Sequence, residues 1–102
     1  MRLDLFLKLS RLCPRRAVAQ KLCDAGFVLL NGRPAKSAHP VKPGDEITVR
    51  MRGFETVASV LTVPVTRNVS RHDANFLVQI VSQRELEPEE PGYLRHDVRH
   101  FA

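Results

Sequence analysis

Basic side chains are concentrated near the start of the chain, and the chemistry they could perform is phosphate binding. Pro14 suits a first helical turn, where its missing N–H is no loss, so CPRRAVAQKL predicts a helix that begins at Pro14. Arg15 and Arg16 then lie in its first turn, where the helix dipole disfavours positive charge by roughly 0.3–1 kcal/mol each. A bound phosphate would satisfy both arginines and the free backbone N–H groups beside them. We therefore expect a ligand, rather than the fold, to compensate these charges.

The charge distribution extends this interpretation to a whole face. Residues 1–52 contain 11 Lys/Arg and four Asp/Glu, whereas residues 53–102 contain five and seven. Such asymmetry favours a surface that binds a polyanion, and a solvated charged face is the alternative. Four phenylalanines in apolar patterns are predicted to be core: Phe6, Phe27, Phe54 and Phe76. Without an aromatic platform for unpaired bases, a structured nucleic acid recognised by backbone and shape is the better match.

Enzymatic and metal-binding patterns are weak. Ser70, His72 and Asp73 lie in one polar loop without the turn that presents a nucleophile, so a solvated turn is favoured over a small hydrolase. His96 and His100 are four residues apart, but a solvated tail explains them better than a metal site does. Cys13 and Cys23 lack zinc-ligand spacing and are expected to be reduced, small core residues. We predict a protein that is not an enzyme and uses no cofactor, metal or small-molecule substrate.

No apolar run approaches the roughly 20 residues that cross a bilayer, and the N-terminus does not resemble a secretory signal. We therefore expect a cytoplasmic monomer that does not contact a membrane.

The elements that must position the basic residues follow from periodicity. Leu3, Phe6 and Leu7 form one helical stripe, and Val18, Leu22 and Ala25 form a second, which ends at Gly26. Three further small residues widen the second stripe, namely Ala17, Ala19 and Cys23. Asn31-Gly32 predicts a hairpin turn, residues 36–45 a loop, and residues 46–52, 54–63 and 76–82 strands separated by a polar loop at 66–75. The predicted fold class is α+β, with two N-terminal helices packed on a small, mostly antiparallel sheet of four or five strands. Residues 1–83 form the domain, and residues 84–102 are predicted to be an acidic, disordered tail.

Taken in order, several short motifs resemble the S4 RNA-binding domain family and its αL motif. They span residues 2–50 and comprise Arg2-Leu3-Asp4, Arg15-Arg16, Gly26, Leu30-Asn31-Gly32, Lys36 and Pro43-Gly44-Asp45. The small size is similar to that of stand-alone members, most of all the RqcP group of ribosome-associated quality control and the related fifteen-kilodalton heat-shock protein.

This resemblance implies binding to 23S rRNA of the large ribosomal subunit and to peptidyl-tRNA, in the rescue of stalled nascent chains. It also implies which residues contact RNA: Arg2, Lys8, Arg11, Arg15, Arg16, Asn31, Gly32 and Lys36, with Asp4 orienting a nearby arginine. The alternative within the family is a role in ribosome assembly or as the partner of an RNA-modifying enzyme. A DNA-binding module is disfavoured because no clear recognition helix is present.

Overall fold

A computed structural model describes residues 1–86 of the protein. The elements in chain order are α1 (Leu3–Leu9), α2 (Arg16–Asp24), β1 (Val28–Leu30), β2 (Arg33–Pro34), β3 (Glu46–Met51), β4 (Phe54–Val60), α3 (Arg71–Ala74) and β5 (Val78–Glu85). The strands form one sheet in the order β2-β1-β3-β4-β5, and every neighbouring pair is antiparallel. The α+β class and its N-terminal helices are therefore confirmed.

Strand β5 runs further than the sequence predicts. It pairs with β4 as far as Glu85, two residues into the segment expected to be a tail, and the Leu86 N–H donates to the Gly53 carbonyl at 2.7 Å. The rest of that segment, with its two histidines, lies outside the described residues.

Helix α1 buries the predicted stripe. Leu3, Phe6 and Leu7 are all fully buried, as the i, i+3, i+4 spacing requires of the face that packs on a core. The chain then turns at Arg11, whose φ of 65° lies in the left-handed region that few non-glycine residues adopt.

Helix α2 differs from its prediction in start and in rotation. It begins at Arg16, with Arg15 as the N-cap residue, so Pro14 lies outside the helix. Its buried residues are Ala19 and Cys23, whereas Val18 and Leu22 are half-buried and Ala25 is exposed. The most buried positions thus lie at one edge of the predicted face, because packing on β1 and β3 and the hydrogen bond from Gln20 to Asp4 of α1 set the rotation.

The end of α2 follows its prediction. Gly26 has a φ of +82°, its N–H donates to Cys23 O, and the Phe27 N–H reaches back to Leu22 O at 2.9 Å. This pair of bonds is the Schellman motif, which favours glycine at the left-handed position. It directs the chain straight into β1, which pairs with β2 and β3 in the sheet.

Two tight hairpins set the register of the sheet. Asn31-Gly32 joins β1 to β2 and Arg52-Gly53 joins β3 to β4, and all four residues have φ between 52° and 85°. Consecutive positive φ values are those of a type I′ turn, whose twist matches that of the strands it joins. The hairpin predicted at Asn31-Gly32 is confirmed.

The phenylalanine prediction was largely wrong. Phe6 is fully buried, but Phe27, Phe54 and Phe76 are 47%, 45% and 60% exposed. The inner sheet face has only α1 and α2 to cover it, and in residues 1–86 no helix packs on the outer face, where Phe27 lies in line with Arg50. The missing second layer therefore explains the exposure of Phe27. Phe54 pairs with Met51 on the inner face, and it is exposed at the end of the β3–β4 hairpin. Phe76 lies between α3 and β5 and belongs to no strand.

The segment 66–75 is also not simply a loop. It contains the short helix α3, and Ser70 caps it by accepting a hydrogen bond from the Asp73 N–H at 3.0 Å. Ser and an acidic residue three positions later are typical of a helix start, a signal that the polar composition obscured.

Candidate nucleic-acid interface

A buried carboxylate organises the arginines at the helix starts. Asp4 has no exposed surface, although it belongs to the first turn of α1. Its Oδ1 accepts hydrogen bonds from the Leu5 N–H at 2.7 Å and from Arg2 Nε at 3.2 Å. Its Oδ2 accepts from Arg2 Nη2 at 3.2 Å and from Gln20 Nε2 at 2.8 Å. Asp4 therefore makes a two-pronged contact with Arg2 and links α1 to α2.

Arg16 completes this group, which we call the Asp4 cluster (Arg2, Asp4, Arg16 and Gln20). Arg16 Nε lies 3.2 Å from Asp4 Oδ2, an ion-pair distance, but its N–H does not point at an acceptor in the described part of the chain. The two guanidinium side chains are 49% and 34% exposed. Each thus has one side against Asp4 and the other toward solvent.

The pKa of Asp4 reflects this environment. Burial alone would raise it, but the hydrogen bonds from Gln20, Arg2 and the Leu5 N–H, together with the nearby Arg16 guanidinium, outweigh burial and lower the pKa below its ordinary value of 3.8. Asp4 is therefore ionised at neutral pH, and the cluster carries two positive charges against one negative charge.

The expectation that only a ligand compensates the basic helix start was wrong for Arg16. Asp4, supplied by a neighbouring helix, balances part of its charge within the fold. Asp4 and Arg16 are 12 residues apart in sequence, so the local pattern around Pro14 could not reveal this pairing. Arg15 matches the prediction better, since it is exposed and no side chain caps the start of α2.

Gln20 is a member of the cluster that the sequence analysis missed. It lies four residues after Arg16 in α2, so both side chains share one helical face. The sequence shows this four-residue spacing, but a glutamine side chain whose partner is unknown does not indicate a binding role.

Arg2 and Lys36 line one cleft of about 570 Å³ with residues that follow β2. The loop after Lys36 holds this cleft against the start of α1, since the Leu3 N–H donates to His39 O at 2.8 Å and the Asp4 N–H to Ser37 O at 3.1 Å. The fold therefore brings Lys36 to Arg2 across more than thirty residues of sequence.

Lys8 and Arg11 line a second cleft, together with Pro14. Pro14 immediately precedes Arg15, so this cleft adjoins the start of α2, and the basic residues of the two clefts and of the helix start make up a basic surface. We call this surface the basic face; its members are Arg2, Lys8, Arg11, Arg15, Arg16 and Lys36.

In residues 1–86, no hydrogen bond or ion pair joins Asn31 or Gly32 to the basic face. The Asn31 side chain donates to Asp45 Oδ1 at 3.1 Å and accepts from the Glu46 N–H at 2.9 Å. Burial would raise the pKa of Asp45, but the bonds from the Lys42 N–H, Asn31 and the Lys42 ammonium lower it. The side chain of Asn31 is thus engaged in tying the hairpin to the Pro-Gly-Asp turn.

The weaker chemical candidates do not assemble. The Ser70 hydroxyl caps α3, and His72 packs edge-on against Phe76 with ring centroids 5.2 Å apart, so the two side chains do not form a nucleophile–base pair. Cys13 and Cys23 are buried free thiols. Within residues 1–86 there is no group of three or more metal-ligating side chains and no helix suited to crossing a membrane.

Comparisons with known proteins match the N-terminal part of the chain, which carries the basic face, to a known domain. A family model described as the S4 domain matches residues 1–47, which contain every member of the basic face. The trimeric structure of Vibrio cholerae Heat Shock Protein 15 has a TM-score of 0.73 and 27% identity, and covers 80% of this chain and 82% of that one. Fold and basic face together define a protein of the S4-domain class, as the sequence resemblance indicated.

Two relatives narrow that class. The RQC P-site tRNA stabilizing factor of Bacillus subtilis (strain 168) is 56% identical over 86 residues, which are 84% of this chain and 98% of that protein. Its namesake in Halalkalibacterium halodurans is 34% identical over 90 residues, or 88% and 100% of the two chains. The chain belongs to the family of RQC P-site tRNA stabilizing factors.

Proposed function

We propose that this protein is a non-catalytic RNA-binding factor that holds peptidyl-tRNA at the P site and contacts 23S rRNA of the large ribosomal subunit. It acts in the cytoplasm, as a monomer, in the quality control of stalled nascent chains. The names of the relatives support the P-site tRNA. The 23S rRNA contact and the rescue role are our own extension of the family resemblance.

The observation that carries the proposal is the Asp4 cluster. Asp4 neutralises only one of two guanidinium charges and fixes both groups with their outer N–H donors toward solvent. A guanidinium has five N–H donors, and Asp4 engages two of those on Arg2. The remaining donors can bind a phosphate in the paired, planar geometry that favours arginine over lysine.

In this proposal Arg2 and Arg16 make the central phosphate contacts. Lys8, Arg11, Arg15 and Lys36 add flanking contacts along the RNA backbone. Asn31 and Gly32, first expected to contact RNA directly, shape the edge of the surface through the hairpin.

The test is sedimentation of the purified protein with large ribosomal subunits that carry P-site peptidyl-tRNA, at two salt concentrations. We expect the wild-type protein to co-sediment, and Arg2→Ala and Arg16→Ala to lose at least tenfold in affinity. Arg71→Ala is the matched control, because Arg71 is exposed and lies outside both the basic face and the S4-domain match. Arg16→Lys keeps the charge but not the planar fork, and we expect it to restore binding only in part.

Far-UV circular dichroism of each variant separates lost binding from lost folding. Wild-type protein that stays at the top of the gradient at low salt would contradict the proposed function. Arginine variants that are folded and bind as the wild type does would contradict the proposed site.

A further inference from the structure

The cleft beside Lys8 and Arg11 has a second wall that does not belong to the S4-domain match. One wall is the α1–α2 corner, and the other is the segment between β4 and β5, which contributes Arg67, Asn68, Val69 and Ser70. The cleft measures about 770 Å³, within the roughly 300–1,000 Å³ typical of ligand clefts. It is larger than the cleft between Arg2 and Lys36.

The charges in this cleft are unbalanced. Three cations line it, namely Lys8, Arg11 and Arg67, against one carboxylate, that of Asp73. Among residues 1–86 none of the three cations is within ion-pair distance of a carboxylate. Converging cations that the fold does not pair attract an anion, and the Asn68 amide beside them can donate further hydrogen bonds.

We propose, on the basis of the proposed function, that this cleft binds the sugar-phosphate backbone of the RNA, with Arg67 as a phosphate contact. The β4–β5 segment then acts as an arm that grips the RNA from the side opposite α1. RNA bound across the basic face would continue into the cleft through Lys8 and Arg11. The interface would thereby extend beyond residues 1–47 to a part of the chain that the S4 domain does not supply.

An RNA backbone fits the cleft better than an acidic protein segment does. Lys8 and Arg11 belong to the basic face, so a polyanion lying on that face reaches the cleft without a break. The polar lining of Asn68 and Ser70 suits sugar and phosphate oxygens. Asp73 lies on the same wall as Asn68 and Ser70 and would repel an anion beside it, which favours a phosphate placed among Lys8, Arg11 and Arg67.

The experiment compares Arg67→Ala with Arg71→Ala on the same purified large subunits with P-site peptidyl-tRNA, in the absence of other factors. Arg71 begins α3, four residues after Arg67, and does not line the cleft. Arg71→Ala therefore removes the same charge from outside the cleft. We expect Arg67→Ala to weaken binding about three- to tenfold and to reduce the slope of log K against log salt by about 0.7–0.9, as the loss of one phosphate contact does. Arg67→Lys should restore most of both quantities, and Arg71→Ala should change neither.

Two results would overturn the inference while leaving the proposed function intact. One is Arg67→Ala binding like the wild type when Arg16→Ala does not. The other is an Arg67→Ala defect that emerges only after a second protein is added, since the cleft would then bind an acidic protein segment. If the wild-type protein itself does not bind the subunits, the proposed function fails, and this inference fails with it.

Discussion

At the scale of single residues, Asp4 combines two roles that are usually separate. Its carboxylate accepts four hydrogen bonds and faces a second arginine, so it stabilises the contact between α1 and α2. The same bonds orient the side chains that we assign to RNA. Removing it should therefore affect both stability and binding, whereas removing either arginine leaves the other still paired.

Asp4→Asn tests the stabilising role. The amide cannot balance Arg2 and Arg16, and its NH₂ group would face the donors that the carboxylate now accepts. We expect a loss of about 2–3 kcal/mol in the free energy of unfolding, near the upper end for unsatisfied buried polar groups. Urea denaturation at pH 7 measures it. Asp24→Asn is the control, since Asp24 is exposed at the end of α2 and its loss should change stability by no more than about 0.5 kcal/mol.

The difference in the free energy of unfolding between the wild type and Asp4→Asn should depend on pH with a defined sign. The folded-state pKa of Asp4 is lowered below its ordinary value of 3.8, so the unfolded chain takes up the proton first as the pH falls. The contribution of Asp4 is complete well above pH 3.8 and is lost below it. The gap between wild type and Asp4→Asn should be constant from pH 7 to 5 and narrow below about pH 4. A gap that stays constant down to pH 3 would show that the charge of Asp4 is unimportant.

At the scale of elements, the β1–β2 hairpin depends on one side chain. Asn31 adopts a φ of 52°, which asparagine tolerates better than most residues, and it bridges to Asp45 and the Glu46 backbone. The hairpin and the distant Pro-Gly-Asp turn are therefore one structural unit.

We expect Asn31→Ala to lower the free energy of unfolding by about 1–3 kcal/mol, because it leaves the Glu46 N–H and Asp45 with fewer partners and disfavours the turn. RNA affinity of the folded variant should fall much less than that of Arg16→Ala. Urea denaturation and the sedimentation assay measure the two effects. Asn75→Ala is the matched control, because Asn75 is exposed with a φ of −67°. A stable variant that fails to bind would instead make Asn31 a direct RNA contact.

The α1–α2 corner also protects the two thiols. Burial, with a smaller effect of nearby Cys23, raises the pKa of Cys13 to about 11, and burial raises the pKa of Cys23 as well. At pH 8 only about one Cys13 side chain in a thousand is the reactive thiolate. We expect native protein to react with a thiol reagent at a small fraction of the rate in urea. Fast labelling of both cysteines under native conditions would show that the corner opens readily.

At the scale of the whole molecule, positive charge is confined to one part of the structure. Residues 53–86 contain three basic and three acidic residues, so the excess positive charge of the described residues lies in residues 1–52, most of it within the S4-domain match. With the six cations of the basic face and Asp4 opposing one of them, about five phosphates can be neutralised.

Binding to the ribosomal complex should therefore depend steeply on salt. A slope of log K against log salt of about −3.5 to −4.5 follows from the five phosphate contacts of the basic face at about 0.7–0.9 each, and the proposed Arg67 contact would add about the same amount once more. Affinity should fall on the order of 10²–10³-fold between 50 and 200 mM salt. A titration series by sedimentation measures the slope. A slope shallower than about −2 would mean that apolar or protein contacts, rather than the basic face, dominate binding.

Most of the architecture was predictable because it depends on short-range signals. The helical stripe of α1, Gly26 and Asn31-Gly32 act within a few residues, and all three predictions were confirmed. Long-range facts were not predictable. The pairing of Arg16 with Asp4 decides how the helix start is compensated, and the missing second layer of the sheet decides the exposure of Phe27. Neither the Arg16–Asp4 pairing nor the missing layer can be predicted from the local periodicity of the sequence.

The Asp4 cluster has a further consequence, which concerns conformational entropy. A free arginine side chain loses about 2 kcal/mol of rotamer freedom when it is fixed in one geometry. Arg2 and Arg16 are held by Asp4 before any RNA arrives, so much of this loss takes place during folding. The bound RNA then gains two immobilised partners at little additional cost in entropy. Arg15, which has no such anchor in the described part of the chain, must lose its freedom at the moment of binding.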